Sequence, residues 1–158
     1  MNRFLIGLIL SFFATNQFGE VDEYNVPVAV QDCLKAGDAK DLELSSRLNP
    51  FFLRGDFDGD HKLDYAVLVI QHGSAKQGIA VCLAGHHSPM VIGAGRMFAF
   101  EGGRQFDDLK YFDAWKIDDD TPDRRPSPIE RIHLIAKERG SGLIYWNGKT
   151  FRWEQLGI

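Results

Sequence analysis

The stretch Gly55-Asp56-Phe57-Asp58-Gly59-Asp60-His61-Lys62-Leu63-Asp64 runs directly into Tyr65-Ala66-Val67-Leu68-Val69-Ile70. Four aspartates stand at relative positions one, three, five and nine, and an apolar run follows without a break. Carboxylates two residues apart do not share one helix face, and along a strand they would form a repelling row. A loop curled around a divalent cation resolves the conflict. Calcium takes about 6–8 oxygen ligands, and alternate side chains with one backbone carbonyl supply most of them. Asp56, Asp58, Asp60 and Asp64 are therefore assigned as side-chain ligands, with the Lys62 carbonyl between the last two. The competing reading is a solvated acidic turn, because Asp and Gly are common turn residues.

The loop is not an EF-hand. That motif needs glycine at its sixth position and a bidentate glutamate at its twelfth; counted from Asp56, those places hold His61 and Val67. A strand follows where a helix should. Residues 55–69 instead resemble the calcium loop of FG-GAP/VCBS-type repeats, the integrin-like propeller loops that read Asp-Phe-(Asn/Asp)-Gly-Asp-Gly-x-x-Asp into a strand. Gly59 falls between the second and third acidic positions, as the pattern asks. His61 departs from it, standing where the repeats carry glycine, so a strained turn and a weakened site are expected. The resemblance occurs once. A propeller needs several such blades, so it implies a calcium loop and not a propeller.

Met1-Asn2-Arg3 followed by the apolar run from Phe4 to Ala14 has the form of a secretory signal peptide, too short to span a bilayer. Cleavage is expected after Gly19, leaving residues 20–158 as a single exported domain, periplasmic or secreted. Removing residues 1–19 takes away one charge, Arg3, and leaves 17 basic against 22 acidic residues. That mild acidity, with no basic patch interleaved with aromatics, argues against nucleic acid. Nothing in the remainder is long and apolar enough for a second membrane segment, and a monomer is expected. Two cysteines, Cys33 and Cys82, suit one disulfide in an exported chain. Closing a loop of that length stabilises by about 4 kcal/mol in the chain-entropy picture.

Residues 24–36 read as a short helix: Pro27 suits its first turn, Val26, Val30, Cys33 and Leu34 share a face, and Gly37 ends it. Residues 41–48 lack a clean period and read as a further helical turn. Tyr65–Ile70 reads as a central strand, Ile79–Leu83 as its hairpin partner, and Met90–Ile92 and Met97–Phe100 as shorter strands. The stretch 101–128 is irregular, acidic and studded with aromatics. Asn147-Gly148 signals a two-residue hairpin turn that would set Ile144 opposite Phe151 and Trp146 opposite Lys149. Ile144, Trp146, Phe151 and Trp153 would then face the core and Tyr145, Thr150 and Arg152 the water. The expected class is α+β: one short N-terminal helix on a mainly antiparallel sheet of four to six strands.

Catalytic constellations are missing from the sequence. There is no HExxH, no CxxC and no GxSxG elbow, and the five histidines show no metal-binding spacing. Calcium held by four carboxylates is largely neutralised, which suits bracing better than Lewis-acid chemistry. A non-catalytic calcium-binding domain is the leading expectation. The second is a binding or inhibitory protein that acts on an envelope enzyme through Asp107, Asp108, Tyr111 and Trp115. An exported hydrolase comes third.

Overall fold

A computed structural model describes residues 23–99, 103, 105–118 and 129–157. The expected signal peptide and the proline-rich end of the acidic stretch lie outside those residues. A 3-10 turn (Glu23–Asn25) leads into helix α1 (Val28–Lys35). The strands that follow are β1 (Leu42–Leu44), β2 (Phe52–Gly55), β3 (Asp64–Gln71), β4 (Gln77–Cys82) and β5 (Met90–Gly93). After them come β6 (Phe98–Ala99), β7 (Gln105–Phe106), β8 (Ala114–Ile117), β9 (Ile132–Ala136), β10 (Gly140–Trp146) and β11 (Phe151–Gly157). Strand accounts for 45% of the structure and helix for 10%, so the molecule is mostly antiparallel sheet with one short helix.

Strand β3 is the centre of the first sheet. It pairs with β4 along one edge (Tyr65↔Cys82, Val67↔Ala80) and β5 continues beyond β4. Its other edge is divided between two short strands. β2 takes the half nearest the aspartate loop (Gly55↔Asp64, Phe52↔Val67), and β1 takes the far half (Leu44↔Val69, Leu42↔Gln71). The continuous apolar run of β3 has a physical reason, since both of its faces are covered. Ala66 and Leu68 point into a large core shared with Ile132, Leu134, Ile144, Phe151 and Trp153 of the second sheet. Val67 and Val69 point the other way, against Val26 and Val30 beside and on α1. The layers are therefore helix, sheet, sheet.

Helix α1 is shorter than its apolar pattern suggested. Pro27 is extended (ψ 148°) and its carbonyl accepts the N–H groups of Val30 and Gln31 at 2.9 and 3.2 Å, so helical geometry starts only at Val28. Val30 and Cys33 lie on its buried face. Cys33 is bonded to Cys82 at the end of β4, with Cα atoms 5.9 Å apart.

The second sheet runs β11-β10-β9-β8. Its hairpin is not the two-residue turn that Asn147-Gly148 suggested. Ile144 pairs with Trp153 and Trp146 with Phe151, leaving residues 147–150 in the loop. The Asn147 side chain is the cause: its Oδ1 accepts the N–H groups of both Lys149 and Thr150, at 3.0 and 2.9 Å, and widens the turn. The register moves by two residues. A shift of two preserves parity, so Ile144, Trp146, Phe151 and Trp153 still share the core face. The opposite face is less wet than expected, because Leu143 is fully buried on it. Gly142 is required where β10 passes Trp153, since a Cβ there would lie 2.2 Å from the indole Cζ2.

Two stretches differ from their sequence reading. Residues 42–44 form β1 and not a helical turn, recruited by the open edge of β3. The stretch 101–128, expected to be irregular, contributes β7 and β8, and β8 joins the second sheet through Trp115↔Leu134. The strand count, expected at four to six, is eleven among the described residues.

Beside β1, Asp41 pairs with Arg96 at 2.8 Å and accepts the Gln71 side-chain amide at 2.9 Å. The Arg96 hydrogen bond, then that of Gln71, hold its carboxyl below the usual carboxylate value. The folded chain therefore releases this proton more readily than the unfolded chain. Asp41 adds stability above the ordinary carboxylate pKa, and that stability is lost as pH falls through the lower folded value. Asp41→Asn is expected to shallow the acid limb of a melting-temperature profile by a small amount, as suits a solvent-screened pair. An unchanged acid limb would show that the pair adds nothing.

Candidate metal site

The aspartate loop connects β2 to β3 and folds upon itself through its own carboxylates. Asp56 Oδ1 accepts the Gly59 N–H at 2.7 Å and its Oδ2 accepts the His61 N–H at 2.9 Å. Asp58 Oδ1 accepts from Asp60 N at 3.1 Å, and Asp60 Oδ1 from Lys62 N at 2.8 Å. Aspartate favours such turns because its short side chain reaches backbone N–H groups a few residues on. Phe57, wholly buried in the core shared by the two sheets, pins the loop from beneath. Gly59 has φ +82°, and a Cβ on it would meet Ile129 Cγ1 at 2.8 Å.

Asp64 closes the loop from the first position of β3. It is fully buried, with Oδ2 accepting the Phe57 N–H at 2.9 Å and Oδ1 the Ala84 N–H at 2.7 Å. One carboxylate thus ties the start of the loop to the chain leaving β4. Burial pushes its carboxyl above the usual value; the two N–H bonds oppose this, and the charges of Asp58 and Asp60 add to it.

The structure brings together three of the predicted ligands. Asp56, Asp58 and Asp64 each offer an oxygen, all within 4.8 Å of one another. Unit charges at such separations repel by about 1–4 kcal/mol per pair between bulk water and a protein surface. Asp60 is turned elsewhere: its Oδ2 pairs with Lys62 Nζ at 2.6 Å, and that ammonium holds its carboxyl below the ordinary range. Lys62 thus enters the loop through its ammonium as well as its backbone.

His61 has φ +62°, the left-handed region that glycine occupies freely. The glycine of the resembling loops answers this backbone demand. The His61 ring sits in water, Nδ1 3.5 Å from Asp56 Oδ2. His61→Gly is expected to stabilise the chain by about 0.5–1 kcal/mol, the relieved left-handed strain outweighing glycine's greater unfolded freedom. A urea titration showing destabilisation would mean that the ring–carboxylate contact outweighs the strain.

Glu130 escaped the sequence reading. Its Oε2 accepts the Asp56 N–H at 2.7 Å, while its own N–H donates to the Asp56 carbonyl at 2.8 Å. The two contacts clamp the loop from a residue 74 positions away, and a Cβ on Gly55 would lie 2.4 Å from Glu130 Oε2. No local spacing signals such a contact.

The four residues expected to form a partner surface differ in their placement. Trp115 is 3% exposed and donates its indole N–H to the Pro50 carbonyl at 2.7 Å, so it belongs to the core. Asp107 pairs with Lys76. Asp108 accepts the Gln77 and Lys110 N–H groups, sewing the segment after β7 to the start of β4. Burial pushes the Asp108 carboxyl up, but these bonds and the Lys110 ammonium hold it below the ordinary value. Only Tyr111 of the four is exposed.

The chain matches no protein-family model, no curated protein and no solved structure.

Proposed function

We propose that this chain is a single exported, non-catalytic calcium-binding domain, periplasmic or secreted, whose ion braces the loop between β2 and β3. The observation that carries the reading is the convergence of Asp56, Asp58 and Asp64 oxygens within 4.8 Å. These are hard oxygen donors of the kind calcium takes, and backbone carbonyls and waters would complete the shell. In this reading the Lys62 carbonyl joins the shell, and Asp60 serves through its pairing with Lys62 or turns inward when the ion enters. The ion would offset the mutual repulsion of three carboxylates, one of them buried, and tie the loop to the first sheet. The Cys33–Cys82 bond supports the exported location, since such bonds persist in oxidising compartments. Among the described residues no helix is long and apolar enough to cross a membrane.

Calorimetric titration tests the reading. Calcium is expected to bind at one ion per chain and in preference to magnesium, which demands a tighter octahedral shell. Asp56→Ala and Asp58→Ala are each expected to weaken binding at least tenfold. Equal heats in the parent and both variants would sink the proposal.

A further inference from the structure

The segment after β7, the β9–β10 turn and β11 surround an open cleft of about 260 Å³ that shares no lining residue with the aspartate loop. Its walls are aromatic. Phe112 lies tilted against Trp153 with ring centroids 5.4 Å apart, Phe106 meets Trp153 edge-on at 6.2 Å, and Tyr111 stands at the rim, 56% exposed. A dry cavity of about 150 Å³ holds a benzene ring, so this cleft has room for one ring and a short substituent.

The polar groups at its mouth are unequal. Asp108 is compensated by Lys110 at 3.2 Å, and Gln155 is engaged with the Trp153 indole N–H and the Ser141 carbonyl. Arg139 has no carboxylate partner among the described residues. Its guanidinium lies over the Tyr111 ring, 5.4 Å from the centroid. Ser141 also borders the cleft, through its place in β10. An aromatic pocket whose mouth carries a cation without a carboxylate partner among the described residues suits an apolar ring bearing an anion, because Arg forks pair well with carboxylates.

We propose that this cleft is a binding site for a small aromatic carboxylate, its ring against Phe106 and Phe112, which cover the buried Trp153, and its carboxylate on Arg139. The site is separate from the aspartate loop and stands or falls without it. Its probes are phenylacetate, the neutral phenylacetamide and acetate, followed by the indole N–H resonance of Trp153. Phenylacetate is expected to shift that resonance with a Kd on the order of a few mM, ordinary for a ligand of this size. Arg139→Gln, a change in an exposed turn, is expected to weaken phenylacetate about fivefold or more and leave phenylacetamide unchanged. Tyr111→Ala is expected to weaken both. No shift with phenylacetate at about 10 mM would overturn the proposal. So would equal binding of acid and amide, or acetate binding as tightly as phenylacetate.

Discussion

Replacing Asp64 with alanine is expected to destabilise the fold by about 2–4 kcal/mol even with no divalent cation present. Two backbone N–H groups, those of Phe57 and Ala84, lose their acceptor at once. The buried Phe57 N–H left without an acceptor costs about 1–3 kcal/mol, and the part-buried Ala84 N–H, which water can reach, costs less. The penalty of burying a carboxylate disappears as well and offsets part of the loss, since burial is what lifts the Asp64 carboxyl. For a chain of this size the melting temperature should fall by roughly 4–16 °C. Asp64→Asn keeps one acceptor oxygen and turns an amide donor toward the other N–H, so it should cost about half as much. Asp58→Ala provides the contrast. Asp58 accepts a single bond, from the N–H of Asp60 in the same loop, and its removal relieves repulsion within the cluster. In chelator that variant should match the parent within about 0.5 kcal/mol, the usual range for a surface change. Chemical denaturation of the three variants in chelator separates the roles. If Asp64→Ala were as stable as Asp58→Ala, Asp64 would be a bystander to the fold.

The second large effect is expected at the disulfide. Cys33→Ala with Cys82→Ala should cost about 4 kcal/mol, from the entropy that a cross-link spanning 49 residues removes from the unfolded chain. The bond fastens α1 to the sheet at the end of β4, and few other contacts do so: the helix contributes Val30 and Cys33 to the buried set. Alanine is chosen because both cysteines are buried and a serine hydroxyl there would need a partner. The loss should appear in urea denaturation as a lower midpoint. The helix signal in far-ultraviolet dichroism should weaken before the sheet unfolds, because α1 is only eight residues and marginal alone. An unchanged midpoint would mean that α1 is held by its apolar face alone.

What the sequence made legible was what short-range chemistry controls. The apolar run of β3 and the alternating aspartates needed no knowledge of neighbours. The meeting of Cys33 with Cys82 followed from two cysteines and a helix face aimed inward. The faces of the last hairpin were readable as well, because parity survives a shift of two residues. Its register was not, since it depended on the Asn147 side chain choosing two backbone N–H groups over a tight turn. Leu42-Glu43-Leu44 carried too short an alternation to declare a strand, and only the vacant edge of β3 makes it one. The internal bonds of the acidic stretch were hidden for a different reason. Asp107 and Asp108 look alike whether they face a partner or pin their own chain, and here Lys76 and the Gln77 N–H claim them. Glu130 was invisible because its contact with Asp56 is a matter of tertiary placement.

The most direct test of the calcium reading is a thermal melt with saturating calcium and with chelator, beside an Asp56→Ala/Asp58→Ala variant. At a calcium concentration of about 100 times Kd, mass action adds about 2.7 kcal/mol to the parent. A chain of this length should then melt roughly 5–10 °C higher, while the variant melts at one temperature in both solutions. A parent that melts identically with calcium and with chelator would contradict the account and reduce the aspartate loop to a turn.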